Sequence, residues 1–171
     1  MSGTVPDVPV KPTLQLLLSH PAHLLSLGFG AGLSRVAPGT IGTLLAIPLA
    51  FLLWRVGNDV VYVAAVIALL VAGGWAASRT GAVLRAPDHG SIVIDEIVAF
   101  LIVLFFTGPS LARIAFAFLL FRLFDIFKPP PIRAIDARMK NGIGVMVDDL
   151  VAAGFALLVY AAVSRVTGWP P

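Results

Sequence analysis

Long apolar runs separated by short polar breaks make up most of the chain beyond residue 40. Five of these runs approach the length of a membrane-spanning helix, which needs roughly 17–25 largely apolar residues. The predicted spans are Ile41–Val56, Val60–Ala77, Ile92–Thr107, Leu111–Phe127 and Leu150–Val166. Glycine, proline or charged residues interrupt the pattern between them. The pattern therefore predicts an all-α, polytopic membrane helical bundle with about five spans.

The N-terminal part of the chain has a different pattern. Its first 12 residues contain three prolines and few apolar side chains, which predicts a disordered tail (1–12) before a single membrane-embedded domain (13–171). The apolar segments on either side of Pro21 are too short to cross about 30 Å of hydrocarbon. They predict an interfacial or re-entrant helix. His20 and His23 share a face of it, and we favour interfacial histidines over metal ligands.

Composition places the chain in the membrane class. Hydrophobic residues make up 58% of the sequence and charged residues 12%, whereas soluble domains carry about 25% charged residues. The net charge of +3 does not favour a nucleic-acid partner, because the basic residues flank apolar runs instead of forming a polar basic domain. The absence of cysteine excludes disulfides, thiolate metal sites and a cysteine nucleophile.

Charged residues interrupt the apolar background near the ends of three predicted spans. A charge costs about 2.5–3.5 kcal/mol at the centre of a membrane helix on insertion scales, so charges within or beside apolar runs suggest a function. The alternative for the acids of the third span is that they complement the helix dipole. The residues concerned are Asp95 and Glu96 in the third span, Arg122, Asp125 and Lys128 at the end of the fourth, and Asp148 and Asp149 before the last.

Two further segments have the composition of phosphate-binding sites. Gly28–Thr43 is rich in glycine, and Thr40 is a plausible N-cap for the first span. Backbone N–H groups at Gly39 and Thr40 suit an anion, and the Arg35 guanidinium would add charged hydrogen-bond donors to the same phosphate. Close packing of small residues explains the same segment equally well. After three prolines, residues 132–140 alternate basic and apolar residues, including Arg133, which predicts a surface helix at anionic head groups.

Membrane orientation tests whether these segments meet. With the N-terminus in the cytoplasm, nine basic residues lie on the inner side and three on the outer side, in agreement with the positive-inside rule. The same orientation brings all four polar segments to the inner side. The inner residues are Lys11, Arg35, Arg79, Arg85, Arg122, Lys128, Arg133, Arg138 and Lys140, and the outer ones are Arg55, Arg113 and Arg165.

Hard oxygen ligands without histidine or cysteine suit Mg²⁺, which bridges to phosphate oxygens. Arginine and lysine would neutralise the remaining phosphate charge, and either an activated water or an aspartyl group would attack. Mutual pairing of the acids and bases, with no catalytic role, is the structural alternative. The residues thus indicate a phosphatase acting on a lipid phosphate.

Four motifs, in order along most of the chain, resemble the phosphatidylglycerophosphatase A family. They begin at Ala37, Ile94, Phe121 and Gly144 and read APGTIGT, IDEIV, FRLFDIFKP and GVMVDD. The resemblance implies a phosphoric monoester hydrolase in the bacterial inner membrane, with its active site facing the cytoplasm. It implies Mg²⁺-dependent removal of the terminal phosphate of phosphatidylglycerophosphate to give phosphatidylglycerol. It also implies functional roles for Asp95, Glu96, Asp125, Lys128, Asp148 and Asp149.

Our hypothesis assigns the five acids of this set to catalysis and to the metal. It assigns substrate phosphate binding to Arg35, Gly39, Thr40 and Lys128, with Arg122 and Arg133 as further candidates. The partners are then a phospholipid substrate and the membrane, with no nucleic acid. A phosphatase for another lipid phosphate, a small cation transporter and a non-catalytic scaffold are the alternatives. A transporter would place its acids near the midplane of the bilayer.

Overall fold

The computed structural model describes residues 9–130, 132 and 142–169, and within that part of the chain every regular element is a helix. Short helices at the N-terminal end precede the long ones. The described helices are α1 (Leu14–Ser19), α2 (Pro21–Ser26), an irregular 3₁₀ segment (Gly28–Leu33), α3 (Pro38–Val56), α4 (Asp59–Leu84), α5 (Ile94–Thr107), α6 (Leu111–Phe127) and α7 (Gly142–Thr167). The all-α prediction is therefore confirmed for the described residues.

Three helices are long and apolar enough to cross a membrane: α3, α4 and residues 144–167 of α7. Between 22% and 39% of their most hydrophobic windows is buried inside the protein, so most of their apolar surface faces outward. Such surfaces are typical of membrane-associated helices. At 1.5 Å per residue, the 14 residues of α5 and the 17 of α6 extend only about 21 and 26 Å. Helix length thus supports three of the five predicted spans.

Helix α5 lies at the centre of the bundle. It packs against α3, α4, α6 and α7, and ten of its 14 residues are buried. A helix that is apolar on nearly all sides is stable only when neighbours cover it, and α5 meets that condition. Its first turn, which carries Asp95 and Glu96, is therefore held inside the bundle at one end.

Helix boundaries agree with the sequence pattern for α6 and at the turn between α3 and α4, and they differ at the C-terminal end of α4 and the N-terminal end of α7. Helix α6 has the predicted bounds, and the predicted turn after α3 forms where Gly57 adopts a φ of +66° and Asn58 caps α4. The second predicted span ended at Ala77, but α4 continues to Leu84 because its last turns are buried against the N-terminal helices. Helix α7 begins at Gly142, eight residues before the predicted span, so Asp148 and Asp149 lie within the helix.

The N-terminal helices are joined to α4 by buried polar contacts. The Nδ1 atom of His23 lies 2.9 Å from the Thr80 hydroxyl, which lies 2.6 Å from that of Ser26. Burial lowers the pKa of His23, which favours the neutral imidazole. His20 caps α2 by accepting a hydrogen bond from the Ala22 amide. His23 is only 5% exposed, so its side chain packs inside the protein; its position at the membrane interface stays a prediction, and no metal-ligand role follows from these contacts.

Close approach of α3 to the start of α5 depends on Gly42. A methyl group there would lie 2.7 Å from Val93 Cβ and 3.2 Å from its carbonyl oxygen. Gly154, in α7, faces open space within 4 Å. Both glycines lie within helices, so alanine raises the helix propensity equally at the two positions. A difference in stability between the two variants then reports on packing at Gly42.

We expect Gly42→Ala to destabilise the detergent-solubilised protein by about 1–3 kcal/mol, because overpacking forces the helices apart. Gly154→Ala should instead be neutral or stabilising by roughly 0.5–1 kcal/mol. Thermal unfolding of both variants is the measurement. Equal stability of the two variants would contradict the close α3–α5 contact.

Candidate functional site

Four helix ends meet at one end of the bundle. Helices α3, α5 and α7 bring residues near their N-terminal ends, and α6 brings its last turn. These ends contribute Gly39 from α3, Asp95 and Glu96 from α5, Arg122, Asp125 and Lys128 from α6, and Asp148 and Asp149 from α7. The structure thus brings together residues separated by more than 100 positions in the sequence.

Asp95, Glu96 and Asp149 form the acidic cluster. One carboxylate oxygen from each lies within 4.8 Å of the others. Asp95 and Asp149 are buried, and 14% of the Glu96 side chain is exposed. Asp95 also accepts a hydrogen bond from the Glu96 amide at 3.0 Å, which fixes its carboxylate at the first turn of α5. Three carboxylates this close and this shielded from water repel one another strongly unless a proton or a cation intervenes.

Arg122 is the basic residue beside the acidic cluster. Its NH1 atom lies 2.5 Å from Asp125 Oδ2, three residues along the same helix, and 3.9 Å from Glu96 Oε1. Arg122 and Asp125 therefore extend the cluster toward α6 as one connected polar network.

Lys128 and Asp148 form a second pair at the rim. Lys128 Nζ lies 2.5 Å from Asp148 Oδ2, and the lysine side chain is 26% exposed against 6% for the aspartate. Lys128 caps α6, and its backbone amide donates to the Phe124 carbonyl. Lys128 is therefore more accessible than Arg122, whose side chain is 14% exposed. A ligand arriving from the surrounding water meets Lys128 first.

The acidic cluster has the properties of a cation site. Among the described residues, Glu96 Oε2 and Asp149 Oδ2 are buried oxygens without a hydrogen-bond partner. Buried carboxylate oxygens normally have a hydrogen-bond partner or a metal. Asp125 pairs with Arg122, and Asp148 pairs with Lys128. Among the described residues, the salt bridge that reaches the three cluster carboxylates joins Arg122 NH1 and Glu96 Oε1 at 3.9 Å. The three carboxylates therefore have the geometry of a group that could hold a metal ion.

Helix α3 presents its first turn to the cluster. A side chain at Gly39 would collide with the Glu96 carboxylate, so only glycine permits this contact. The helix begins at Pro38 with Ala37 as N-cap; the predicted N-cap role of Thr40 is therefore wrong. Its first internal hydrogen bond runs from the Ile41 amide to the Ala37 carbonyl. The amides of Gly39 and Thr40 precede that bond and place the positive end of the helix dipole near Glu96.

Two basic residues of the phosphate-binding hypothesis lie apart from this network. Arg35 is exposed in the segment before α3, and no hydrogen bond or ion pair joins it to the described residues. Arg133 lies outside the described residues, as does most of the predicted surface helix 132–140. Their assignment to phosphate binding stays a prediction.

Thr43 belongs to the network, although the sequence analysis did not select it. Its side chain is fully buried, donates a hydrogen bond to the Gly39 carbonyl at 2.9 Å, and lies 3.3 Å from Arg122 NH1. A signal was present in the sequence, because Thr43 is one helical turn beyond Gly39. An uncharged hydroxyl in a small-residue segment nevertheless reads as helix packing.

Comparison with known proteins identifies relatives over most of the chain. The family model described as Phosphatidylglycerophosphatase A matches residues 24–164. A protein of that name from Haemophilus influenzae is 41% identical over 155 residues, covering 90% of this chain and 94% of the relative. One from Escherichia coli is 39% identical over 143 residues, covering 81% and 80%. A relative from Bacteroides thetaiotaomicron, provisionally named phosphatidylinositol-3-phosphatase, is 35% identical and covers 85% and 94%. No solved structure matches significantly.

Cation binding at the acidic cluster is testable without an activity assay. Adding Mg²⁺ or Mn²⁺ to the metal-free protein should raise its unfolding temperature, because a ligand at 100 times its Kd stabilises the folded state by about 2.7 kcal/mol. Asp95→Asn should abolish most of this shift. Asp59 is an exposed acid at the N-terminal end of α4, and Asp59→Asn should retain the shift. Equal shifts in both variants would place the cation elsewhere.

Proposed function

The chain belongs to the phosphatidylglycerophosphatase A family, and we propose that it hydrolyses the terminal phosphomonoester of phosphatidylglycerophosphate with Mg²⁺ at the acidic cluster. The products are phosphatidylglycerol and inorganic phosphate. The observation that carries this proposal is the meeting of two buried carboxylates and a partly buried third with Arg122 and Lys128 at one end of an apolar bundle. The apolar helices suit a lipid substrate, and the polar end suits its phosphate.

Asp95, Glu96 and Asp149 would hold the metal, with Asp125 and Asp148 completing the acidic set. When bound, Mg²⁺ supplies positive charge to phosphate oxygens and lowers the pKa of water. Because these three carboxylates would not complete the ligand set that Mg²⁺ prefers, substrate oxygens could bind beside them. The unpartnered oxygens of Glu96 and Asp149 support this assignment.

Arg122 and Lys128 would bind the phosphate oxygens, and their aspartate partners would orient them. Asp125 holds Arg122, and Asp148 holds Lys128. In the reaction, a water oxygen bonds to phosphorus while the bond from phosphorus to the glycerol oxygen breaks. The glycerol oxygen takes a proton as it leaves, and the water loses one. The first-turn amides of Gly39 and Thr40, together with Arg35 and Arg133, complete the proposed phosphate-binding set.

The proposed topology has five spans in a bacterial inner membrane, with the acidic cluster facing the cytoplasm. Arg55, Arg113 and Arg165 lie at the helix ends away from the cluster, as the positive-inside rule predicts for the outer side. In this arrangement α5 and α6 cross the membrane despite their shorter length. Other helices surround α5, so it need not match the thickness of the bilayer by itself. Local thinning of the bilayer accommodates short spans at modest cost.

A second substrate class has one specific observation in its favour. The Bacteroides thetaiotaomicron relative carries a name that refers to a phosphoinositide, and the same cluster would accept the phosphomonoester of another lipid. A cation transporter is less consistent with the site, since its acids would lie near the midplane and the acidic cluster lies at the end of the bundle.

We expect Asp149→Asn and Asp125→Asn to lose phosphate release from phosphatidylglycerophosphate by at least about 100-fold, as expected when groups that stabilise transition-state charge are removed. EDTA should abolish wild-type release, and added Mg²⁺ should restore it. Phosphate release from purified protein, measured with phosphatidylglycerophosphate, phosphatidic acid and phosphatidylinositol 3-phosphate, identifies the preferred substrate. Asp59→Asn is the matched control. Full turnover in the two cluster variants would refute the assignment.

The absence of cysteine in all 171 residues permits a direct test of orientation. Asn58→Cys lies in the exposed turn after α3, and Asp88→Cys lies in the exposed loop after α4. In intact cells, an impermeant maleimide should label the cysteine at 58 and not the one at 88, because α4 separates them across the bilayer. The reverse result would invert the proposed topology, and equal labelling in sealed cells would mean that α4 does not cross.

A further inference from the structure

Arg122 joins two helices that have few direct contacts with each other. It belongs to α6, and its NH1 atom lies 3.3 Å from the Thr43 hydroxyl on α3. Helices α3 and α6 each pack mainly on α5 and other neighbours. The guanidinium therefore reaches across the end of α5, where it also meets Glu96, and Thr43 is the residue that receives it on the far side.

The geometry of Thr43 makes its hydroxyl oxygen an acceptor for Arg122. Its proton is donated to the Gly39 carbonyl at 2.9 Å, so its lone pairs face the guanidinium. The Thr43 side chain is fully buried, and β-branched side chains have restricted χ1 rotamers in a helix. The acceptor is thus fixed in position, in contrast to a flexible surface group.

We propose that Thr43 is a positioning residue that sets the orientation of the Arg122 guanidinium for phosphate binding; this inference rests on the proposed function. Within the described part of the chain, the charged partners of Arg122 are the acids Asp125 and Glu96. Without the hydroxyl, both remaining partners would draw the guanidinium toward the carboxylates. An incoming phosphate would then have to reorient it. The hydroxyl, which is neutral, holds one N–H group without competing for the charge.

The test compares Thr43→Val, which removes the hydroxyl at nearly constant shape, with Thr43→Ser, which retains it. Thr107→Val is the matched control, because Thr107 is also a buried threonine and its hydroxyl has no partner among the described residues. It lies at the opposite end of α5. Each substitution is also combined with Arg122→Lys. The readouts are kcat and KM for phosphatidylglycerophosphate, and protection of the Mg²⁺-loaded protein from thermal unfolding by inorganic phosphate.

We expect Thr43→Val to raise KM on the order of tenfold, as for loss of a hydrogen bond to a charged group, with kcat within about twofold. Thr43→Ser and Thr107→Val should stay near wild type. In the Arg122→Lys background, Thr43→Val should add little, because residues acting through one contact are not additive. Wild-type kinetics in Thr43→Val, equal losses in the valine and serine variants, or independent effects at positions 43 and 122 would each overturn the proposal.

Phosphate protection separates this inference from the proposed function. If the wild-type protein releases no phosphate from phosphatidylglycerophosphate, the proposed function fails on that result alone. Thermal protection by inorganic phosphate then decides the role of Thr43. Protection that is weakened in Thr43→Val and retained in Thr43→Ser supports the positioning role. Equal protection in both variants, or none in the wild type, refutes it.

Discussion

Mutual repulsion among buried carboxylates is the constraint on which the site depends. Asp95, Glu96 and Asp149 have oxygens within 4.8 Å of one another, in surroundings where charge is poorly screened. Such a group is stable only when positive charge or protons compensate it. Arg122 supplies one positive charge from the side of α6. The negative charge of the carboxylates that Arg122 does not neutralise favours binding of a cation. A cation bound by these carboxylates would still attract a phosphate.

The bundle keeps this repulsive group in place by surrounding α5. The helix is covered by four neighbours. Its approach to α3 depends on Gly42, where a side chain would strike Val93, and Gly39 leaves the space that the Glu96 carboxylate occupies. Small residues permit such contacts in membrane proteins, where association depends on close packing instead of water exclusion. The glycines of the first motif thus serve geometry, while the acids of the others serve charge.

The sequence predicted the helices and the charged members of the site because both leave strong local signals. Apolar runs gave the bounds of α6 correctly, and the cost of burying charge singled out Asp95, Glu96, Asp125, Asp148 and Asp149. The C-terminal end of α4 and the N-terminal end of α7 were placed poorly. Polar residues there resemble a loop when read locally, whereas α4 and α7 continue through them because tertiary contacts cover the polar turns. Thr43 and the burial of His23 depend on side-chain partners distant in sequence, which a local pattern does not contain.

The location of the cluster at the ends of helices follows from what a lipid phosphatase must contact. The phosphomonoester is too highly charged to enter the hydrocarbon core of the bilayer, and the acyl chains of the lipid stay within that core. The reacting phosphorus therefore stays near the head-group level. Lys128 at the rim and Arg122 deeper in the network form a gradient of accessibility toward the acids. If these two cations bind the phosphate as proposed, a phosphate exchanging water for them would keep its charge compensated at each step. On this proposal, selectivity for a lipid would arise from the apolar surfaces of the surrounding helices.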